Sequence, residues 1–403
     1  MSGLEPPRLL FAARRAPYPL NNGARIRSYQ LLTGLARSFR TTFITFEHHP
    51  DSADGLSTRE ELEALLPGIE VITAPGSGAH KRADQVLSLG HARSFTFGRY
   101  NTEEFRAMAR RCVEAQHPDV VHFDDPGVAL VGRLPGALNV YSSHNVEQRL
   151  LALAARVGSR PNRLFNEVER RKVAREERRI WREMDICLAV SELDRGAMIE
   201  AGARRVELCP NGVAEVPQLP RRVRKVDEPL RLLFVGSGDY GPYERGLAWL
   251  VNKVLPEVRA AVKLDFEVVG TPPVHPIAAP GVRYVGRVPE LEPYYERAHV
   301  VVIPVFEGSG TRLKLIEAAA YGRPTVTTAL GAEGLPLTPG RDFLQADDAG
   351  AFSAAILQLG SWWLEDRSEP LGEMVDSARR QVQPLTWSRI VSDLADLYRA
   401  SLP

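Results

Sequence analysis

A chain of 403 residues is longer than a single hydrophobic core usually grows, so two domains are expected. Its 44% hydrophobic and 25% charged residues are those of an ordinary globular protein, and a net charge of +1 argues against a dedicated nucleic-acid binder. The three cysteines, Cys112, Cys187 and Cys209, are far apart and form no CxxC pair, which supports neither a disulfide framework nor a zinc site and fits a reducing cytoplasm.

The first apolar run, Arg8 to Ala13, reads as a buried strand. It is too short for the core of a signal peptide and is followed at once by Arg14 and Arg15. No apolar run reaches the ~20 residues that span a bilayer, so any membrane contact is expected to be peripheral. Pro17, Pro19 and the pair Asn22-Gly23 mark a polar, basic loop. A helix follows from about Ala24, with Ile26, Tyr29, Leu31, Leu32 and Leu35 near a 3.6-residue period, and Thr41 to Phe46 forms the second strand. The chain thus opens strand, loop, helix, strand. In open α/β sheets the carboxyl edge of the strands is where ligands bind.

Strands continue at Ile69–Thr73, Asp119–Phe123 and Leu138–Ser142, with a loop over 75–90 and a helix over 102–116. Two of these strands end in polar clusters, His122-Phe123-Asp124-Asp125 and Ser143-His144-Asn145-Val146-Glu147. A lone histidine at a strand end is commonly structural; two such ends on one sheet edge make a candidate site. The stretch from Arg160 to Glu183 is the most charged. It reads as a long amphipathic helix whose acidic and basic residues pair at helical spacing on a solvated face. The alternative is a basic face that meets an anionic membrane or acceptor. Asp185–Val190 and Val206–Cys209 are further strands, and Ser191 is placed to cap a helix. The Pro-, Arg- and Lys-rich run 216–229 reads as a linker.

The second half restarts the pattern. The strand Arg231–Val235 runs into Gly236-Ser-Gly-Asp-Tyr-Gly-Pro-Tyr-Glu-Arg-Gly246, followed by a helix; further strands are read at 264–269 and 282–285, and a short helix over 288–297. The strand Val300–Val305 then runs into Phe306-Glu-Gly-Ser-Gly-Thr-Arg-Leu-Lys-Leu-Ile-Glu-Ala-Ala-Ala-Tyr-Gly-Arg-Pro324. A strand, a small-residue turn and a helix N-terminus form an anion site, because unpaired amides and the helix dipole both favour negative charge there. Arg312 and Lys314 sit in the first turn, where cations oppose the dipole, so local helix stability does not explain them and a bound phosphate does. The bland alternative is a solvated basic turn. Residues 386–398 read as a closing amphipathic helix.

Over nearly its whole length the chain resembles bacterial family 4 glycosyltransferases, and within them the sugar transferases of exopolysaccharide loci. The resemblance is carried by Pro17-Tyr-Pro-Leu-Asn-Asn-Gly23, Ser143-His-Asn-Val-Glu147, Val190-Ser191, Pro210-Asn-Gly-Val213, Val235-Gly-Ser237 and Gly308-Ser-Gly-Thr-Arg-Leu-Lys314 with Glu317-Ala. It implies an α/β protein of the GT-B fold: two Rossmann-like domains with parallel sheets facing a central cleft. The division it implies is an N-terminal acceptor-side domain at 1–215, a linker at 216–229, a nucleotide-sugar domain at 230–385, and a helix at 386–403 that packs back on the first domain.

The resemblance also assigns roles. The family carries two glutamates eight positions apart; aligned on Glu317 the first falls on Ser309, and Glu307 stands ten positions before Glu317. Glu317 takes the ribose hydroxyls of the donor. Gly236, Ser237, Ser309, Gly310, Thr311 and Leu313 line the donor, and Arg245, Arg312 and Lys314 hold its diphosphate. Asn22, Gly23 and Arg25 form the acceptor-side loop, and the catalytic set is His122, His144, Arg245 and Lys314. The implied reaction is that of a hexosyltransferase: transfer of a sugar from a UDP- or GDP-linked donor to a saccharide or lipid-linked saccharide, retaining, without metal or cofactor, in exopolysaccharide or cell-envelope glycan synthesis. The implied place is the cytoplasm, including the inner face of the plasma membrane, with no nucleic-acid partner. The rival reading is a nucleotide-sugar 2-epimerase of the same fold.

Overall fold

The computed structural model describes residues 5–20, 22–47, 59–76, 82–155, 160–221, 224–307, 313–364 and 368–402. The chain divides into two compact units: Met1–Asn211 together with Trp387–Pro403, and Gly212–Thr386. In the first, the strands β1 (Arg8–Ala12), β2 (Arg40–Phe46), β3 (Glu70–Ala74), β4 (Val120–Phe123), β5 (Leu138–Ser142), β6 (Ile186–Ala189) and β7 (Val206–Leu208) make one sheet in the order β3-β2-β1-β4-β5-β6-β7. In the second, β8 (Leu230–Val235), β9 (Leu264–Val269), β10 (Val282–Gly286), β11 (Val300–Ile303), β12 (Thr325–Thr327) and β13 (Leu344–Gln345) are ordered β10-β9-β8-β11-β12-β13. Every pairing in both sheets is parallel. Each unit is therefore Rossmann-like, and each sheet reverses its winding between two neighbours, β1/β4 and β8/β11.

Parallel strands need crossovers, and helices supply them on both faces, so the central strands are apolar without a break. Side-chain alternation then divides each strand between two cores. In β1, Leu9 and Phe11 enter one core of the first unit while Leu10 and Ala12 enter the other. In β11, Val300 and Val302 face one core of the second unit and Val301 and Ile303 the other.

The helix Trp387–Ser401 belongs to the first unit. It sends Trp387, Ile390, Leu394, Ala395 and Tyr398 into the core that holds Leu9 and Phe11. It crosses the helix Gly23–Leu35 closely enough that a Cβ at Gly34 would lie 2.6 Å from a Val391 methyl.

Of the stretch 216–229, read from composition as a linker, the described residues 216–221 and 224–229 fall within the second unit. Leu219 is buried and the Arg224 amide donates to the Trp363 carbonyl at 2.8 Å. Within the 75–90 stretch, read as a loop, Arg82–Ser88 is helical. The helix expected over 288–297 is confined to Glu292–Arg297.

The charged helix Arg160–Glu183 has the expected pairs on its outer face, Glu167 with Arg171 at 3.1 Å and Arg179 with Glu183 at 2.8 Å. Its inner face carries charges that do other work. Glu169 accepts from the Thr96 amide at 2.6 Å, and buried Glu177 accepts from the amides of Glu147 and Gln148 at 2.7 and 3.2 Å. The helix Glu147–Ala154 has no cap from its own sequence, since Val146 stands at the cap position, so Glu177 satisfies its orphan amides through tertiary structure.

Burial pushes the Glu177 carboxyl up to about 8, with nearby Glu147 and Asp194 adding to the shift against the two amide bonds. The folded state then holds a proton that the unfolded chain, at the ordinary glutamate value of 4.5, has released. The contribution of Glu177 to stability is thus full below about pH 4.5 and is lost as pH rises through about 8. Unfolding temperatures measured from pH 5 to 8 are expected to fall more steeply in the wild type than in Glu177→Gln, which removes this proton linkage; equal slopes would show that Glu177 is not the group responsible.

Candidate functional site

The carboxyl edge of β8 and β11 carries the predicted donor residues of the second unit. After β8, Gly236 donates its amide to the Val269 carbonyl at 2.8 Å, and Ser237 stands at the entrance to the helix Gly241–Trp249. Pro242 sits in the first turn and Tyr240 offers no side-chain cap. The Tyr240 carbonyl accepts from the Tyr243 and Glu244 amides at 2.8 and 3.1 Å, which closes the first turn of this helix.

Lys314, in the first turn of the helix Leu313–Ala320, reaches back over the Gly236 backbone. A Cβ at position 236 would overlap the end of the lysine side chain, so glycine there permits this close approach. The Lys314 Nζ lies 4.5 Å from the centre of the Tyr243 ring and 5.5 Å from that of Phe234. Both aromatic faces attract the ammonium and help to fix its position.

Arg245, also in the helix after β8, donates Nε to Glu307 Oε1 at 3.0 Å and a second N–H to Glu307 Oε2. Both side chains are exposed. Glu307 was out of register for the family's first glutamate, and its contact is with the arginine expected to bind phosphate. Glu317 lies one turn beyond Leu313, on the face toward Tyr295. The buried Tyr295 hydroxyl donates to Glu317 Oε2 at 2.9 Å, and its ring stacks on Tyr321 at 4.4 Å. Burial raises the Glu317 carboxyl above the ordinary range, against the Tyr295 bond and the Lys314 charge. Tyr295 escaped the sequence reading because nothing in its local pattern marks it as more than core. Ser309, Gly310, Thr311 and Arg312 lie outside the described residues.

The carboxyl edge of β1, β4 and β5 carries the other predicted residues. Asn22 is the N-cap of the helix Gly23–Leu35: its side chain accepts from the Arg25 amide at 3.0 Å, and Gly23 is the first helical residue. After β1, Arg14 pairs with Asp125 at 2.8 Å, and Asp125 in turn accepts from the Gly127 amide. His122 and His144, placed together in the sequence reading, meet on one residue, Asp124.

His122 is fully buried, stacked on Phe11 at 4.4 Å, with Nδ1 2.5 Å from the Tyr398 hydroxyl and Nε2 3.5 Å from Asp124 Oδ1. It has no exposed surface, so its ring sits behind Phe11 and Tyr398 rather than at the open edge where a catalytic histidine was expected. Burial lowers its proton affinity, against the attraction of Asp124, and keeps it neutral. His144 keeps 14% of its side chain exposed, and its Nε2 lies 2.8 Å from the Asp124 carbonyl and 3.2 Å from Asp124 Oδ2. Ser28 donates to the same carboxylate. Burial alone would raise the Asp124 carboxyl; the two imidazoles beside it, His144 foremost, outweigh burial and hold Asp124 far below the carboxylate range.

Among the described residues no group of three or more His, Cys, Asp or Glu side chains is arranged to hold a metal ion, and no helix is long and apolar enough to cross a membrane.

The two units match separate family models. Residues 21–215 match a model described as Glycosyltransferase Family 4, and residues 229–361 one described as Glycosyl transferases group 1. No curated protein matches the sequence closely enough to be counted a relative. Among solved structures, sucrose-phosphate synthase from Thermosynechococcus elongatus superposes with a TM-score of 0.67 at 19% identity, covering 98% of each chain. Anabaena HepE in complex with UDP-glucose gives 0.62 at 12% identity over 98% of this chain and 100% of its own. WaaG, a glycosyltransferase involved in lipopolysaccharide biosynthesis, gives 0.63 at 14% identity over 97% and 99%. At such identities the likeness establishes the GT-B fold, and the activity class rests on the two family models, each matched by its own Rossmann-like unit: this chain is a family 4-like glycosyltransferase.

Proposed function

We propose that the protein is a hexosyltransferase that takes a sugar from a UDP- or GDP-linked donor and delivers it to a saccharide or lipid-linked saccharide in exopolysaccharide or cell-envelope glycan synthesis. The observation that carries the donor side is Lys314 lying over Gly236 at the β8/β11 edge, with Arg245 in the neighbouring helix. Two cations at a strand edge beside a helix N-terminus suit a diphosphate, whose charge grows as the bond to the sugar breaks. Glu317, oriented by Tyr295, suits the vicinal hydroxyls of a ribose. The complexes of HepE with UDP and with UDP-glucose support a nucleotide-sugar donor. In this reading Arg245, Lys314, Arg312 and the amides near Gly310 stabilise the leaving diphosphate without a metal, and the reaction retains anomeric configuration. Asn22, Gly23, Arg25 and His144 serve the acceptor.

A thermal-shift series with UDP-, GDP- and ADP-sugars tests the donor class, because a ligand that binds only the native state raises its stability. Once the donor is chosen, Lys314→Ala and Arg245→Ala are each expected to lower nucleoside diphosphate release by ~10²-fold while leaving the unfolding temperature nearly unchanged. Near-wild-type release in both would remove the assignment. Glu317→Ala is expected to weaken donor binding ~10-fold, about 1.4 kcal/mol. Epimerised sugar nucleotide in a reaction without acceptor would instead establish the epimerase chemistry.

We also propose that the protein works at the inner face of the plasma membrane through the start of the helix Arg160–Glu183. There the 67%-exposed Leu164 stands between exposed arginines that include Arg160 and Arg163. Each arginine near an anionic surface contributes about 1 kcal/mol of attraction. Replacing Arg160, Arg163 and Arg171 with serine should abolish co-flotation with phosphatidylglycerol vesicles and leave phosphatidylcholine controls unaltered; unchanged flotation would discard this surface.

A further inference from the structure

Within the second unit, the segment Pro304–Glu307 leaves β11 and runs along the helix Gly241–Trp249. The Pro304 carbonyl comes so close to Gly246 that a Cβ there would overlap its oxygen, and glycine admits the contact. Phe306 meets Trp249 edge-to-face with ring centres 4.7 Å apart, and Trp249 stands edge-on to Phe352 at 5.4 Å. Glu307 is thus delivered by a segment already fastened to the helix at two points. Its carboxylate spans one side of the Arg245 guanidinium: Nε donates to Oε1 at 3.0 Å and Nη2 to Oε2. The family resemblance assigns Glu307 no role, because it stands ten positions before Glu317.

A guanidinium is a rigid planar fork, and a carboxylate takes two parallel donors along one of its edges. Glu307 uses the edge made by Nε and Nη2. The second hydrogen of Nη2 and both hydrogens of Nη1 lie along the other edge. Among the described residues Nη1 donates no hydrogen bond, and it rests against Gly241, the first residue of the helix, where a Cβ would lie 3.1 Å from it. The held edge therefore faces the β11 segment and the open edge faces the helix start, where the dipole favours an anion. Both side chains are exposed, and exposed ion pairs add little to folding. Stability thus does not account for a carboxylate that lowers the positive charge of this edge. Orientation does: an arginine left to itself samples many rotamers, and each must be given up when an anion binds.

We propose that Glu307 is a positioning residue for glycosyl transfer: it holds Arg245 by the Nε–Nη2 edge and so presents the Nη1–Nη2 edge, at the start of the helix Gly241–Trp249, to the departing phosphate. As the bond from the sugar to the diphosphate oxygen breaks, the electron pair stays on that oxygen, and the open edge of Arg245 meets the charge that builds there. Carboxylate and phosphate use different edges, so Glu307 keeps its place while the nucleotide binds and does not compete with it. The inference rests on the reading of the β8/β11 edge as the donor site.

A double-variant cycle on the whole protein tests this, with UDP-glucose and GDP-mannose as donors and UDP and GDP as ligands. Glu307→Ala is expected to keep the unfolding temperature and the nucleotide affinity of the wild type, yet to release nucleoside diphosphate ~10-fold more slowly at saturating donor. Glu307→Gln, which keeps an acceptor oxygen for Nε, should fall between the two. In an Arg245→Ala background the loss from Glu307→Ala should vanish, because Glu307 acts only through Arg245. Unchanged release in Glu307→Ala, or an equal loss in both backgrounds, would overturn the proposal; so would tighter nucleotide binding by Glu307→Ala, the mark of a competitor. A ¹H–¹⁵N spectrum of the arginine Nε–H groups reads the contact itself. The Arg245 signal, assigned by its absence from Arg245→Ala, should be protected from exchange in the wild type, unprotected in Glu307→Ala, and still protected with UDP or GDP bound. Loss of protection when nucleotide binds, or none in the wild type, would also overturn it. If Arg245→Ala is impaired and Glu307→Ala is not, this inference alone fails; if neither nucleotide binds, or Arg245→Ala releases diphosphate like the wild type, it is the donor reading that fails.

Discussion

Each sheet reverses its winding between two neighbouring strands, β1 and β4 in the first unit and β8 and β11 in the second. In open α/β sheets such a point leaves a crevice outside the carboxyl ends of the strands, where ligands bind. The residues with unusual contacts gather at these edges. Arg14, Asp124 and Asp125 follow β1 and β4, with His144 just beyond on β5, and Gly236, Arg245 and Glu307 follow β8 and β11.

The two edges solve opposite electrostatic problems. The first encloses a negative charge. Asp124 is buried, and two imidazoles and a serine hydroxyl compensate it, since an uncompensated buried carboxylate would cost several kcal/mol. The second displays positive charge. Lys314 leans on two aromatic faces over a glycine, and Arg245 is paired with Glu307 while both remain exposed. Exposed pairs contribute only about 0–1 kcal/mol, so an arriving dianion has little to displace.

Helix ends show how far side chains act from their own sequence. Asn22, Thr102, Ser191 and Asp348 cap their helices by accepting the amide three residues on, and such caps are visible locally. The helix Glu147–Ala154 is capped by Glu177, thirty positions away, and Ser94 and Thr96 are tied to Glu176 and Glu169. One face of the helix Arg160–Glu183 thus organises the starts of its neighbours, where charge pattern alone suggested a solvated surface.

What the sequence by itself determined is the repeated αβ pattern, the parallel sheets, and the residue types at the ends of their strands. Unbroken apolar runs such as Val300–Ile303 can only be buried on both faces, and small residues after them can only be turns. The family resemblance added roles for Arg245, Lys314 and Glu317. Partnership was decided by the tertiary structure. His122 and His144 look equivalent as histidines at strand ends, yet one is sealed behind Phe11 and Tyr398 and the other keeps an open edge. Glu307 looked displaced from a motif and is the partner of Arg245; Tyr295 looked like core and orients Glu317. The physical reason is range. Periodicity and turn chemistry are set by neighbours a few residues apart, whereas burial, ion pairing and the choice of an imidazole tautomer depend on groups such as Tyr398 that meet His122 from 276 positions away, only once the sheet has formed.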